Sequence, residues 1–163
     1  MRTRLQRVLL TLGAIMLTAV ATAPTATADP MPGFAFDPAK LQARMDSCME
    51  YRIGPGEILM GWLNVRTGDQ RQWRCSSLRH MLLDDEDRPA HDPYENIPDF
   101  MRCVDKVVSY GFPRKGDPGN TRLIYQYNGT SNRAEVVVND TTGDVATIYT
   151  SVSNDWTGCA NAL

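Results

Sequence analysis

Three strand-like runs near the C-terminus constrain the fold of this chain more than any other feature of its sequence. They span residues 121–127, 133–139 and 144–151, and each is rich in β-branched or aromatic residues. The connections "NGTS" and "DTTG" place Asn and Gly where tight turns need them. Because consecutive strands joined by short turns pair antiparallel, this segment predicts a three-stranded antiparallel meander.

The segments before these runs have the spacing of helices. Asp37 followed by Pro38 is typical of a helix start, and apolar residues then recur every three or four positions. The segment "IPDFMRCVDKVVSYG" shows the strongest helical pattern, with Pro98 and Asp99 in its first turn and Gly111 at its end. The apolar spacing of "LRHMLL" predicts another, shorter helix.

Other parts of the chain leave alternatives open. In "EILMGWLNVRTGD" the apolar residues fit a helix, whereas Gly61 weakens that interpretation. The acidic, proline-rich stretch "DDEDRPAHDPYENIP" and the stretch "FPRKGDPGN" are predicted to be loops. The pattern as a whole predicts an α+β fold in which N-terminal helices pack on a C-terminal antiparallel β-meander, stapled by two disulfides.

The N-terminus has the layout of a secretory signal peptide. Three arginines within the first seven residues precede the apolar run "VLLTLGAIMLTAV", and the small-residue triplet Ala26-Thr27-Ala28 follows. The apolar run is shorter than the ~20 residues that a membrane-spanning helix needs. We therefore expect residues 1–28 to be removed, leaving residues 29–163 as a single secreted, extracellular domain with no membrane anchor.

The charge of the predicted mature domain argues against a broad nucleic-acid footprint. Three of the 17 basic residues leave with the signal peptide, so 14 basic residues face 19 acidic ones and the net charge is −5. A non-specific nucleic-acid binder needs an extended basic surface. An acidic domain of this kind is still compatible with RNA as a substrate that is processed at one local site.

The four cysteines predict two disulfide bonds. Cys48, Cys75, Cys103 and Cys159 all lie in the predicted mature domain, and an even number in an exported protein indicates paired thiols. Their spacings are too long for a CxxC metal site. Of the three possible connectivities, chain order favours Cys48–Cys75 with Cys103–Cys159, but the sequence alone leaves all three open.

Side chains in the last strand are expected to alternate between its two faces. Alternation predicts that Ala146 and Ile148 point one way, while Val145, Thr147 and Tyr149 point the other. A hydroxyl and a phenol then lie side by side on a rigid sheet, which is a suitable mount for a functional site. The competing interpretation is that Thr and Tyr occur here because both residue types favour strands.

Two histidines are the other candidates for chemistry. His80 and His91 are separated by an acidic stretch, and together they can act as a general base and a general acid because histidine titrates near neutral pH. A metal site built from His80, His91 and either Asp84 or Asp92 would lack a recognisable ligand spacing. We therefore expect neither a metal nor another cofactor.

Two stretches of the chain resemble a known family. "LRHMLLDDEDRPAHDPYENIPDFMRCVDKVV" followed by "RLIYQYNGTSNRAEVVVNDTTGDVATIYT" is similar to the bacterial EndoU-like ribonuclease toxins, which belong to the barnase–EndoU–colicin D–RelE group of toxin domains. The shared features are a histidine that ends a short helix, a second histidine in the next loop, a Pro-x-Phe entry into a helix, and the closing hairpin. The resemblance covers about residues 73–150.

The resemblance implies a reaction and roles for four of the candidate residues. The substrate would be RNA, and a ribose 2′-OH would attack the adjacent phosphate to leave a 2′,3′-cyclic phosphate. Such a step needs proton transfer and charge stabilisation rather than a metal. His80 and His91 would form the acid–base pair, and Thr147 and Tyr149 would contact the phosphate and the base.

The resemblance also implies a cation and a protein partner. Arg133 or Arg122 would stabilise the charge of the phosphorane; we assign Arg133 to catalysis and Arg122 to substrate binding. An immunity or target protein is the further partner that a toxin-like domain implies.

A non-enzymatic function is an alternative that the sequence supports to a similar degree. In a secreted, disulfide-stabilised binding or inhibitor domain, the Thr and Tyr hydroxyls would only face solvent and would have no chemical role. Its contact patch would then be the apolar residues near Trp62, Trp73 or Trp156, if these are exposed. A carbohydrate-active enzyme is a third class, but it needs a pair of carboxylates that the sequence does not single out.

Overall fold

The structure is a computed structural model that describes residues 29–30, 37–63, 68–83, 92–127, 129 and 131–162. The predicted signal peptide, residues 1–28, and the second candidate histidine, His91, lie outside the described residues, so both stay predictions. Within the described part of the chain, no helix combines the length and the apolar character needed to cross a membrane.

Helices and strands alternate irregularly along the described chain. The α-helices are α1 (Pro38–Met49), α2 (Cys75–Leu83), α3 (Ile97–Tyr110) and α4 (Trp156–Asn161), and a 3₁₀ turn covers Pro93–Glu95. The strands are β1 (Asp29–Pro30), β2 (Ile58–Leu63), β3 (Gln70–Arg74), β4 (Phe112–Lys115), β5 (Asn120–Tyr127), β6 (Asn132–Asn139) and β7 (Asp144–Thr150).

All these strands belong to one mixed sheet with the order β1-β2-β3-β7-β6-β5-β4. Strands β5, β6 and β7 form the antiparallel meander that the sequence predicts. The sheet extends beyond the predicted meander and is mixed rather than purely antiparallel, because β3 runs parallel to β7, with Gln72 opposite Asp144 and Trp73 opposite Val145. This parallel pairing sets the β2–β3 hairpin beside the meander.

Two strands form where the sequence indicated other structure. β2 occupies the segment whose apolar spacing also fits a helix, since a short apolar run is compatible with both. β4 occupies "FPRK", which was predicted to be a loop. It lies at the edge of the sheet, where Pro113 is tolerated although proline has no amide hydrogen to donate. All four side chains of β4 are exposed, so no burial pattern marks it in the sequence.

The core lies between helix α3 and one face of the sheet. Phe100 of α3 contacts two indoles, with ring centroids 5.3 Å from Trp73 and 5.0 Å from Trp156. Both tryptophans are fully buried, and Trp62 is as well. The tryptophans themselves therefore offer no exposed surface for the contact patch that the binding-domain alternative places near them.

Two disulfides connect neighbouring helices. Cys48–Cys75 joins α1 to the first residue of α2, and Cys103–Cys159 joins α3 to α4. This is the connectivity that chain order favours. All four cysteines of the sequence lie in the described part of the chain, and none of them is a free thiol.

Candidate active site

The last strand carries the predicted pair on one face, but its alternation is interrupted. Thr147 and Tyr149 share a face, as expected. Val145 does not join them, since it is fully buried like Ile148, while Ala146 is exposed beside Thr147. The predicted faces of Val145 and Ala146 are therefore wrong.

A β-bulge explains the exchange. Val137 of β6 lies opposite Thr147, whereas the next residue, Val138, lies opposite Val145, so Ala146 is an extra residue in β7. An inserted residue breaks strict alternation and turns the following side chains. Val145 can thus reach the core while Ala146 and Thr147 both face solvent on the other side.

Four of the candidate side chains line a single groove of about 540 Å³. His80 comes from α2, Arg122 from β5, and Thr147 and Tyr149 from β7. The other polar side chains of the groove are Lys115, Asp117 and Asn120, which lie at and around the β4–β5 turn. Residues from distant parts of the sequence thus meet at one concave surface.

Helix α2 is fixed against β7 by a buried hydrogen bond. Ser77 Oγ donates to the Val145 carbonyl oxygen at 2.6 Å, one residue before the bulge. The start of the same helix is tied to α1 by the Cys48–Cys75 disulfide. Because His80 follows Ser77 by about one helical turn, these two attachments determine where the imidazole stands relative to the groove.

A buried carboxylate lies behind the groove. Glu135 on β6 is fully buried, and Tyr149 Oη donates to its Oε2 at 2.5 Å. Arg122 donates to the same oxygen through Nε at 2.8 Å and also through Nη2. Arg133 Nε donates to the other oxygen, Oε1, at 2.5 Å. One carboxylate therefore holds two guanidinium groups and one phenol.

The protonation states of this cluster follow from its contacts. Burial alone raises the pKa of Glu135, but the hydrogen bonds from Tyr149 and Arg122, the charge of Arg122 and the bond from Arg133 outweigh it and lower that pKa below its usual value. Burial and the bond to Glu135 raise the pKa of Tyr149. At neutral pH the carboxylate is ionised and the phenol keeps its proton, so Tyr149 cannot serve as a general base.

Several donors in the groove remain available to a ligand. Arg122 uses Nε and Nη2 for Glu135, and Nη2 also donates to Tyr149 Oη at 2.7 Å. Its Nη1 has no hydrogen-bond partner among the described residues. The same holds, within the described ranges, for the Thr147 hydroxyl and the Lys115 ammonium group, both of which line the groove.

Arg133, the predicted catalytic cation, does not line the groove. It lies on the same face of β6 as Glu135, two residues before it, whereas the groove residue Val137 lies two residues after it. Its side chain is half exposed. Arg122 rather than Arg133 is therefore the guanidinium within the groove, although Glu135 connects the two.

Sequence reasoning missed Glu135 and Lys115. Glu135 carries a signal that was available: an acidic residue directly before the apolar run "VVV" sits in a buried strand, and a buried charge requires partners. Lys115 carries no comparable signal, because it falls in a stretch that reads as a loop. No three His, Cys, Asp or Glu side chains of the described part come together as metal ligands would.

Comparisons with known proteins return no relative. No family model matches this chain, and neither a curated protein nor a solved structure matches it. No relative therefore assigns a function to the groove.

Proposed function

We propose that this chain is a secreted, metal-independent endoribonuclease of the EndoU-like type. The observation that carries the proposal is the convergence of His80, Arg122, Thr147 and Tyr149 on one groove, although they come from three separate elements. These side chains supply a titratable imidazole, a fixed cation and a hydroxyl, which are the groups that a phosphate transesterification requires.

The reaction needs one proton removed and one proton supplied. The ribose 2′-oxygen loses its proton to a general base and bonds to the neighbouring phosphorus, and the bond from phosphorus to the 5′-oxygen breaks. A general acid protonates that 5′-oxygen, leaving a 2′,3′-cyclic phosphate and a free 5′-hydroxyl. His80 fills one of these roles, and we assign the other to His91, as the resemblance implies.

The cation and the hydroxyl act on the phosphate itself. Arg122 Nη1 is available, and its guanidinium is held rigidly by Glu135, so it is suited to the charge that builds up on the phosphorane oxygens. Thr147 donates from the groove wall to a non-bridging oxygen. Tyr149 acts chiefly as a positioning residue, since its proton is committed to Glu135 and its oxygen accepts from Arg122.

The binding-domain alternative has weaker support. Among the described residues, the exposed large hydrophobic side chains nearest each other in sequence are Tyr110, at the end of α3, and Phe112, at the start of β4, with 41% and 72% of their surface exposed. A standard interface buries about 800 Å² on each partner, which is more than two side chains contribute.

An assay for cyclic-phosphate ends tests the proposal. Purified, disulfide-intact protein is incubated with several RNAs in the presence of a chelator, so that a contaminating metal nuclease cannot contribute. We expect 2′,3′-cyclic phosphate products, and we expect His80→Ala to lower their rate of formation by about 10²–10⁴-fold, the scale of a lost general acid or base. Thr147→Val should also lower it, because this change keeps the side-chain volume and removes only the hydroxyl.

RNA cleavage by the wild-type protein decides between a ribonuclease and a non-enzymatic binding domain. If the wild-type protein generates no cyclic-phosphate ends on any of the RNAs, the ribonuclease proposal is wrong. If it cuts RNA and both variants cut as fast, the groove is not the site of the reaction.

A further inference from the structure

The two arginines that bind Glu135 differ in their position relative to the groove. Arg122 lies inside the groove, and Arg133 lies beyond it along β6. Both are attached to the carboxylate through Nε, on different oxygens. Arg133 has no other side-chain hydrogen bond within the described residues, so both of its Nη groups remain available to a ligand.

The cluster around Glu135 carries more positive than negative charge. One carboxylate is ion-paired with two arginines, so the three side chains together have one net positive charge. Around Arg133 the strand neighbours are neutral: Gln126 lies opposite on β5, and Ser151 Oγ accepts the Arg133 amide hydrogen at 2.9 Å. Arg133 is the half-exposed member of this positively charged cluster that lies outside the groove.

The placement of the two guanidinium groups suits a polymer with repeated phosphates. Arg122 and Arg133 donate to different oxygens of the same Glu135 carboxylate, at 2.8 and 2.5 Å, so the two groups lie on either side of one side chain. Two guanidinium groups placed in this way can each bind one of two neighbouring phosphates of a single strand. The groove volume of about 540 Å³ is in the range of a site for one small ligand, and Arg133 is not among the residues that line it.

We propose that Arg133 forms a second phosphate subsite, so that the substrate is a single-stranded oligonucleotide held at two successive phosphates. This rests on the proposed function for the phosphate in the groove, at Arg122. The phosphate next to it lies against the Nη groups of Arg133. Arg133 is then a binding residue for longer substrates and does not take part in the bond-breaking step.

Kinetics on short substrates tests the subsite. Cleavage is measured for dinucleoside monophosphates, which carry one phosphate, and for the same dinucleotides with an added 5′- or 3′-terminal phosphate. We expect the wild type to prefer one of the extended forms, and we expect Arg133→Gln to lose that preference through KM, by about 10- to 100-fold, the scale of a charge-assisted hydrogen bond. An equal loss on all three substrates would show that Arg133 acts only through Glu135, and it would overturn the proposal.

Binding to a DNA strand of the same sequence provides a readout that needs no cleavage, because deoxyribose lacks the attacking 2′-OH. The binding constant for a single strand decreases as the salt concentration rises, and each phosphate contact adds about 0.7 to the steepness of log K against log[salt]. If Arg133→Gln loses one phosphate contact, this dependence should become shallower by about 0.7. Arg52→Gln is the matched control. Arg52 is also ion-paired and is 60% exposed, against 50% for Arg133, and it lies just after α1, far from Arg133 in the sequence.

The outcomes separate this proposal from the proposed function. A reduced slope in Arg133→Gln but not in Arg52→Gln, with no cleavage by the wild type, would support the subsite and reject the ribonuclease. Cleavage by the wild type with identical slopes and identical substrate preferences in both variants would reject the subsite and leave the ribonuclease standing. Absence of any binding to the strand and of any cleavage would reject both.

Discussion

Tyr149 donates its phenolic proton to Glu135 at 2.5 Å, and the two residues lie directly opposite each other on adjacent strands. The phenol is therefore part of the support for a buried ion cluster as well as part of the groove wall. Substitutions at this pair should affect stability and activity together, which the isolated sequence pair Thr147-x-Tyr149 does not suggest.

Tyr149→Phe should lower both the free energy of unfolding and the rate of RNA cleavage. The ring is kept, but Glu135 loses a donor, which costs about 1–3 kcal/mol for a buried polar group. Arg122 also loses the oxygen that accepts from its Nη2, and we expect cleavage to fall by about 10²-fold. Urea denaturation and the cyclic-phosphate assay measure the two effects.

Tyr125→Phe is the matched control for that substitution. Tyr125 lies on β5 and packs against the core, and its phenol makes no hydrogen bond to the described residues. It should behave nearly as the wild type. If Tyr149→Phe does so too, the phenol contributes nothing to the cluster.

Glu135→Gln should change how stability depends on pH. The pKa of Glu135 is lower in the folded protein than in the unfolded chain, so its ionisation stabilises the fold above the usual glutamate range. That contribution is lost as the pH falls toward the folded-state pKa. Near pH 7 we expect Glu135→Gln to be less stable by about 3–5 kcal/mol, the cost of breaking a buried ion pair.

The difference between Glu135→Gln and the wild type should shrink in acid. Asp99, whose pKa is lowered by hydrogen bonds from Thr157 and Arg102, contributes acid sensitivity in the same direction, but it is present in both proteins and cancels in the comparison. Thermal unfolding of both proteins across the acidic range measures this. A constant difference at every pH would mean that Glu135 is not ionised in the fold.

The two disulfides should differ in their effect on catalysis. Removing either, as Cys48→Ser/Cys75→Ser or as Cys103→Ser/Cys159→Ser, should cost about 2–5 kcal/mol in a domain of this size. Only the first bridge holds the helix that carries His80. At a temperature where both variants are folded, we expect the first to lose cleavage activity and the second to keep most of it; the reverse order would contradict the assigned position of His80.

Two glycines with similar backbone angles offer a test of the parallel strand pairing. Gly143 and Gly119 both have positive φ, at 72° and 84°. A Cβ on Gly143 would lie 2.5 Å from the Gln70 carbonyl oxygen, where β3 meets the turn before β7, whereas one on Gly119 would meet nothing within 4 Å. Gly119→Ala should cost only the backbone term of about 1–2 kcal/mol, and Gly143→Ala should cost clearly more in denaturant unfolding. Equal costs would mean that β3 does not approach the turn so closely.

Local sequence signals predicted much of the fold. The meander, the start of α1 at Asp37 and the extent of α3 all follow from turn residues, caps and apolar spacing. The bulge at Ala146 did not, because an extra residue in a strand is set by pairing with its neighbour, which the sequence of one strand does not contain. Likewise β4 is stabilised by pairing with β5 rather than by burial of its own side chains.

The sequence predicted only part of the candidate site, because the remainder depends on strand pairing, as the bulge does. His80, Thr147 and Tyr149 are residue types that suggest chemistry on their own, and they line one groove. Which arginine stands among them depends on strand register: Arg122 lies opposite Val137 within the groove, and Arg133 lies opposite Gln126 outside it. Nothing in the composition of either segment distinguishes the two, so the assignment needed the structure.

The parallel pairing of β3 with β7 also has a consequence for the order of folding. Gln72 and Asp144 are far apart in sequence, so closing the loop between them carries a larger entropic cost than closing the hairpins of β5, β6 and β7. We therefore expect the meander to assemble early and the β2–β3–α2 segment to dock late. A chain stopped before that docking would already hold Arg122, Glu135 and Tyr149 in register, yet it would lack His80, so the complete groove exists only once the slowest contact has formed.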